Sequence, residues 1–203
     1  MNQLLDKFNE YKSTVNYRME YIFEDDSVIS FKLKQTDFPH LLGLHKLIDI
    51  PVIRQFNDKN NLVVSAKYIN SKIKRQELLT ENIIKRSIYF PDIAARFNSF
   101  SKENILTISY TDAIVDFNAS LVGSNLKAKY ILIEKKRQGY NHLCVAEDGN
   151  GKKYAEFFFH ASTDLYIRKQ RTIKVKWIRI YDNFDALYLE DVLSKCEKIG
   201  LAQ

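Results

Sequence analysis

The hydrophobic positions of this chain follow a helical rhythm in its first half and a period of two in its second. In QLLDKFNEYKSTV, residues 3–15, Leu4, Leu5, Phe8 and Tyr11 recur near helical spacing and predict an opening helix. YRMEYIFED and SVISFKLKQ then alternate. Ile29, Phe31 and Leu33 share one face, Val28, Ser30 and Lys32 the other, and Asp25-Asp26 between the runs predicts a hairpin. Helical period returns at Phe38. Thr36 or Asp37 can cap a helix there, Pro39 is tolerated in its first turn, and Ile50-Pro51 ends it. The stretch 63–109 stays mainly helical. SAKYINSKIKRQ and TENIIKRSIYF read as two short helices, the second capped by Thr80, and Phe90-Pro91 breaks the chain before DIAARFNSFSKENILTISY.

From Asp112 the pattern becomes strand-like. AIVDFNAS, KYILIEKKR, HLCVAED, YAEFFFH and TIKVKWIRIY are five strand candidates, with Asp148-Gly149-Asn150-Gly151 as the clearest turn signal. ALYLEDVLSKCEKI predicts a closing helix. The order is helix and hairpin, then a helical block, then an antiparallel meander. This predicts an α+β fold whose helices pack on one face of an antiparallel sheet. One domain accounts for all 203 residues: an N-terminal helix over 1–17, a core over 18–181 with a helical insert near 63–109, and a C-terminal helix over 182–203.

Charge changes the picture. The net is +6, yet residues 123–181 hold 13 Lys/Arg against 5 Asp/Glu, so this segment alone carries +8 and the remainder −2. A cationic segment on alternating strands points to a polyanion, nucleic acid before membrane, because no strongly amphipathic basic helix accompanies it. In TIKVKWIRIY, Lys174 and Lys176 share one face while Ile173, Val175 and Trp177 share the other. The apolar runs are too short to cross a bilayer, and the first residues lack the apolar core of a signal peptide, so a cytoplasmic protein is expected. Cys144 and Cys196 match no metal or redox spacing and are expected to be reduced thiols.

Candidate chemistry begins with FPHLLGLHKL, residues 38–47, which holds two of the four histidines. Phe38, Leu41, Leu42 and His45 share a helical face, and His40, Gly43, Leu44 and Leu47 a neighbouring stripe. Five residues between histidines is poor spacing for one metal on a helix, which wants i and i+4. Each imidazole reads either as a hydrogen-bonded core residue or as a partly desolvated acid or base. Gly43 permits close approach of a sheet or of a ribose-phosphate backbone. No GxSxG, GxxxxGK or GxGxxG occurs, which argues against a serine nucleophile elbow, a phosphate loop and a dinucleotide cofactor. The remaining inventory of His, Lys, Arg, Tyr and Ser suits RNA, whose 2′-hydroxyl is its own nucleophile. EFFFHASTDLYIRKQRTIK gathers His160, Ser162, Thr163, Tyr166, Arg168, Lys169 and Arg171, and LKAKYILIEKK adds Lys127, Lys129 and Tyr130. The tyrosines also read as strand-edge packing and the cations as a solvated face.

FPHLLGLHKL after a hairpin, KAKYILIEKK, the Asp-Gly-Asn-Gly turn and YAEFFFHASTDLYIRKQRTIKV together resemble the PBECR domains, phage nucleases likened to barnase, EndoU, colicin and RelE, and most closely their fourth group. The similarity spans roughly residues 18–181. The resemblance implies a compact helical layer on an antiparallel sheet and a metal-independent ribonuclease of phages and other mobile elements, with no cofactor. By position it assigns His40 and His45 to the histidine-bearing helix, Lys129 and Tyr130 to the meander entrance, and Ser162 and Tyr166 to the last motif. As catalytic residues we expect His40, His45, Lys129, Tyr130, Ser162 and Tyr166; as RNA contacts, Lys46, Lys127, Arg168, Lys169, Arg171, Lys174 and Lys176. An antitoxin or immunity protein is the partner such a toxic activity implies. The competing reading is a non-catalytic nucleic-acid binder, or a phage protein that blocks a host nucleic-acid machine, using the basic meander alone.

Overall fold

In the computed structural model, residues 2–57, 64–106, 109–182, 184 and 187–192 are described. The opening periodicity forms α1 (Gln3–Lys12), which buries Leu4, Phe8 and Tyr11. The predicted hairpin is present as β1 (Arg18–Phe23) and β2 (Val28–Lys32), paired from Arg18↔Lys32 to Ile22↔Val28. Asp26 takes the left-handed backbone at the turn, φ 62°.

Residues 38–50 do not form the single helix that their spacing predicts. α2 (Phe38–Leu41) is one turn long, Gly43 then takes φ 81°, and a 3₁₀ turn over Leu44–Lys46 follows. Only glycine enters that conformation without strain. Here it also lets the chain lie against a later helix, since a Cβ on Gly43 would stand 2.7 Å from Arg96 Nη1 and 3.1 Å from Ile93 Cγ2. Asp37 does not cap α2 with its side chain; its Oδ2 accepts from the Lys34 N–H at 2.9 Å instead. Pro51 opens α3 (Pro51–Asn57).

The helical block comprises α4 (Ala66–Arg75), α5 (Glu81–Lys85), α6 (Pro91–Ser99) and α7 (Lys102–Ile105). Ser65 and Thr80 cap α4 and α5 by accepting from the Tyr68 and Ile83 N–H groups. Pro91 fits the first turn of α6, where a missing N–H costs nothing.

The second half supplies β3 (Asp112–Val115), β4 (Tyr130–Lys136), β5 (Gly139–Glu147), β6 (Lys153–Ala161), β7 (Thr172–Tyr181) and β8 (Leu187–Val192). The sheet is antiparallel throughout, in the order β2-β1-β7-β3-β4-β5-β6, with β8 also on β7. The meander therefore runs from β3 to β6, after which β7 crosses to join the N-terminal hairpin. The two ends of the path, β2 and β6, approach one another and give the sheet a nearly barrel-like curl.

Strand alternation divides the interior. Leu132, Leu143, Val145 and Phe158 join the main core with the helices. Ile114, Ile131, Ile133 and Cys144 form a smaller cluster, packed against Phe117, Tyr140, Phe157, Phe159 and Ile167. The fold class is thus the α+β arrangement expected.

The expected closing helix is a strand over Leu187–Val192. β3 takes up β7 only at Thr172–Lys174, and β8 fills that side from Trp177 to Tyr181. An open ladder of backbone donors and acceptors outcompeted a weak helical pattern. Residues 193–203, including Cys196, lie outside the described residues, whereas Cys144 is a buried free thiol.

Candidate active site

A cleft of about 490 Å³ lies where the 44–46 turn and α6 meet β6 and the segment after it. His45, Lys46 and Arg96 border one side; Phe157, Phe159, His160 and Tyr166 border the other. The break at Gly43 positions the first group, because it turns His45 toward β6, where its ring lies 5.7 Å from that of Phe157.

Arg96 dominates the electrostatics. It is 7% exposed, and its Nε and Nη1 have no hydrogen-bond partner among the described residues. Its guanidinium lies 5.7 Å from the Phe157 ring centroid, a cation–π contact. Burial lowers its pKa, yet a guanidinium stays charged at neutral pH. Among the described residues no carboxylate pairs with Arg96, although Asp92 lines the same cleft, and a buried cation so placed is costly and calls for an anion. Sequence reading missed this residue, although the signal was there. Ile93, Phe97 and Phe100 follow an apolar i, i+4, i+7 stripe, and Arg96 sits inside it.

His40 and His45 are neutral at pH 7. Burial, then the neighbouring His40, Arg96 and Lys46, push His45 down to about 4, and its Nδ1 has no partner. Burial lowers His40 as well. Lys46 is exposed over much of its surface, but partial burial and then Arg96 lower its ammonium, against the pull of Asp92. His40 and His45 are brought together, with ring centroids 5.6 Å apart, although they stand at i and i+5.

His40 borders a second hollow of about 330 Å³ with Asp37, Tyr154 and Glu156. Burial raises the Asp37 carboxyl to about 6 and also raises Glu156, which Lys127 partly counters. Glu156 is the unpaired residue of a β-bulge, since Cys144 faces Phe157 and Val145 faces Ala155. Its Oε2 has no partner. Bulges re-aim side chains in this way, and nothing local in the sequence announces one.

The other expected site residues divide clearly. Tyr166 reaches the cleft, its ring 4.8 Å from Phe159 and 5.8 Å from His142. His160 borders it too, but both ring nitrogens are engaged: Nδ1 with Asn141 Oδ1 at 3.1 Å and Nε2 with the Gln138 carbonyl at 2.9 Å. Asn141 is fixed in turn by donating to the buried Glu134. Ser162 is exposed and packs over Gly139, where a Cβ would meet its Cα at 2.7 Å.

Lys129 and Tyr130 do not border the cleft. Lys129 pairs with Glu147 at 3.0 Å, and Tyr130 lies beneath Lys129 and Lys153. Lys174 and Lys176 pair with Asp112 and Asp26. Lys127, Arg168, Lys169 and Arg171 are exposed. Among the described residues, no three of His, Cys, Asp and Glu gather as a metal site, and no helix is long and apolar enough to cross a membrane.

A family model, PBECR4, the phage-Barnase-EndoU-ColicinE5/D-RelE like nuclease4, matches residues 3–193. No curated protein and no solved structure matches the chain.

Proposed function

The chain belongs to the PBECR4 family of nucleases, and from that premise we propose that it is a metal-independent endoribonuclease. The observation that carries this reading is the buried, unpartnered Arg96 guanidinium in a cleft with His45 and Lys46. A scissile phosphodiester supplies the missing anion. Its non-bridging oxygens accept from Arg96, whose charge also stabilises the phosphorane as it forms. Phe157, Phe159 and Tyr166 offer faces on which an unstacked base can lie.

His45 takes the proton of the 2′-hydroxyl, whose oxygen attacks phosphorus. The 5′-oxygen leaves with a proton from Lys46, whose lowered pKa makes it a better acid than an ordinary lysine. The products are a 2′,3′-cyclic phosphate and a 5′-hydroxyl. A base near pKa 4 is weak in the empty enzyme. Two of the causes that depress it are cationic, Arg96 and Lys46, so the arriving phosphate offsets them and raises His45 toward the useful range. His40, its ring tilted against that of His45, steadies it. His160, tied at both nitrogens, shapes the cleft and transfers no proton. Arg168, Lys169 and Arg171, exposed beyond Tyr166, guide the strand, together with Lys127.

The test incubates the protein with end-labelled single-stranded RNA at two salt concentrations, with and without EDTA. Cyclic-phosphate ends formed equally in EDTA, and lost in His45→Ala, are the expected outcome. Salt-sensitive binding with no product would make the protein a nucleic-acid binder instead.

A further inference from the structure

A third hollow, of about 480 Å³, opens between α4 and the turn that precedes α2. Lys67, Asn70, Ser71 and Lys74 are spaced i, i+3, i+4 and i+7 on α4, so one helix face lines it, opposite Lys34 and Thr36. None of the three lysines is in an ion pair among the described residues. Asn70 is only 3% exposed. Its Nδ2 donates to the Gln35 carbonyl at 2.8 Å, which fixes the amide and leaves Oδ1 buried with no donor among the described residues.

A buried acceptor of this kind carries its full desolvation penalty unless something donates to it. Three lysines and this acceptor line one hollow, which suits a ligand that carries an anion and a donor together. The hollow also adjoins the site already described. Thr36 lines both this hollow and the one holding His40, and the His40 ring lies 5.6 Å from that of His45.

We propose that this hollow is a nucleotide subsite for the same RNA strand, resting on the nuclease reading above. Lys34, Lys67 and Lys74 hold a phosphate remote from the scissile one. Asn70 Oδ1 accepts from that nucleotide's 2′-hydroxyl or from a base N–H. Short substrates miss these contacts and long ones gain them.

Two arms test it with the full chain. Adenosine 5′-monophosphate, 2′-deoxyadenosine 5′-monophosphate and inorganic phosphate are titrated while the amide resonances of Asn70 and Ser71 are followed by NMR. Kinetics of the Lys67→Gln, Lys74→Gln double variant are then compared on a dinucleotide and on a longer single strand. Adenosine monophosphate should shift Asn70 at concentrations where phosphate alone does not, and the double variant should lose that shift. Its KM for the long strand should rise about tenfold, and the salt slope of binding should fall by about 0.7, the share of one phosphate, with dinucleotide cleavage unchanged.

Unmoved Asn70 resonances overturn the subsite, as do equal shifts from inorganic phosphate, which mean an anion hole only. Wild-type kinetics of the variant on both substrates removes the subsite and leaves the nuclease standing. Nucleotide-dependent shifts at Asn70 in a protein that cuts no RNA keep the subsite and remove the nuclease.

Discussion

Replacing Arg96 with methionine should stabilise the protein and nearly abolish its activity. Methionine fills much of the same space without charge. In the folded chain the guanidinium is 7% exposed, and two of its nitrogens lack partners. An ion buried without a counter-charge costs several kcal/mol even after relaxation, and the contact with Phe157 returns about 2 kcal/mol. Removing both should therefore raise unfolding stability by about 1–3 kcal/mol, measured as a shift in the urea midpoint at pH 7 with unchanged slope. If Arg96 is instead the main stabiliser of the phosphorane, kcat/KM on single-stranded RNA should fall about 10²–10³-fold in the same variant. The two changes have opposite signs for one reason: the site is strained until it is filled. A variant that is less stable yet fully active would show that Arg96 is a packing residue and refute the argument.

The remaining expectations concern the same elements. Because His45 titrates near 4 in the free enzyme, kcat/KM should hold nearly level from pH 7 down to 5, where an ordinary imidazole at 6.5 would be only ~3% deprotonated; a steep loss between 7 and 5 would contradict the assignment. Gly43→Ala should lower stability by about 1–2 kcal/mol through the left-handed backbone and should weaken cleavage as its Cβ displaces Arg96, so an unchanged melting point and rate would count against the packing described. His142 is fully buried, stacked 4.6 Å from Phe159, and held down to about 4 by burial. Between pH 6.5 and 4 the unfolded ring takes up a proton that the folded ring refuses, so stability falls as pH drops through that window, by up to about 3 kcal/mol. Urea unfolding of His142→Leu at pH 7 and 4.5 should show a correspondingly smaller loss than the wild type; equal losses would refute it.

The sequence reads well where structure is local. The β1–β2 alternation, the Thr80 cap and the periodicity of α1 each specify an element within a dozen residues, and each is present. It reads poorly where distant segments decide. Leu187–Val192 became a strand because β7 offers an open ladder, and β7 left the meander to pair with β1, about 150 residues earlier. Pairing of β7 with β1 and β3 brought Asp26 and Asp112 to Lys176 and Lys174, and the β4–β5 hairpin brought Glu147 to Lys129, so cations that looked like one free face are partly neutralised. The site was half legible. FPHLLGLHKL drew notice to His45 and Lys46, and Tyr166 and His160 came with the last motif. Arg96 was passed over because arginine on a helix usually faces solvent, and Glu156 because a bulge is a property of the pair of strands, not of either one.

The central claim is that the RNA's own 2′-hydroxyl is the nucleophile, with no metal ion required. It is tested most directly by offering the protein, in EDTA, an end-labelled RNA and its twin with a 2′-deoxy substitution at the mapped cleavage position. The account requires cleavage of the first strand to a 2′,3′-cyclic phosphate and none of the second at that position. Cutting of the deoxy strand there, or cleavage that EDTA abolishes and a divalent cation restores, would contradict it.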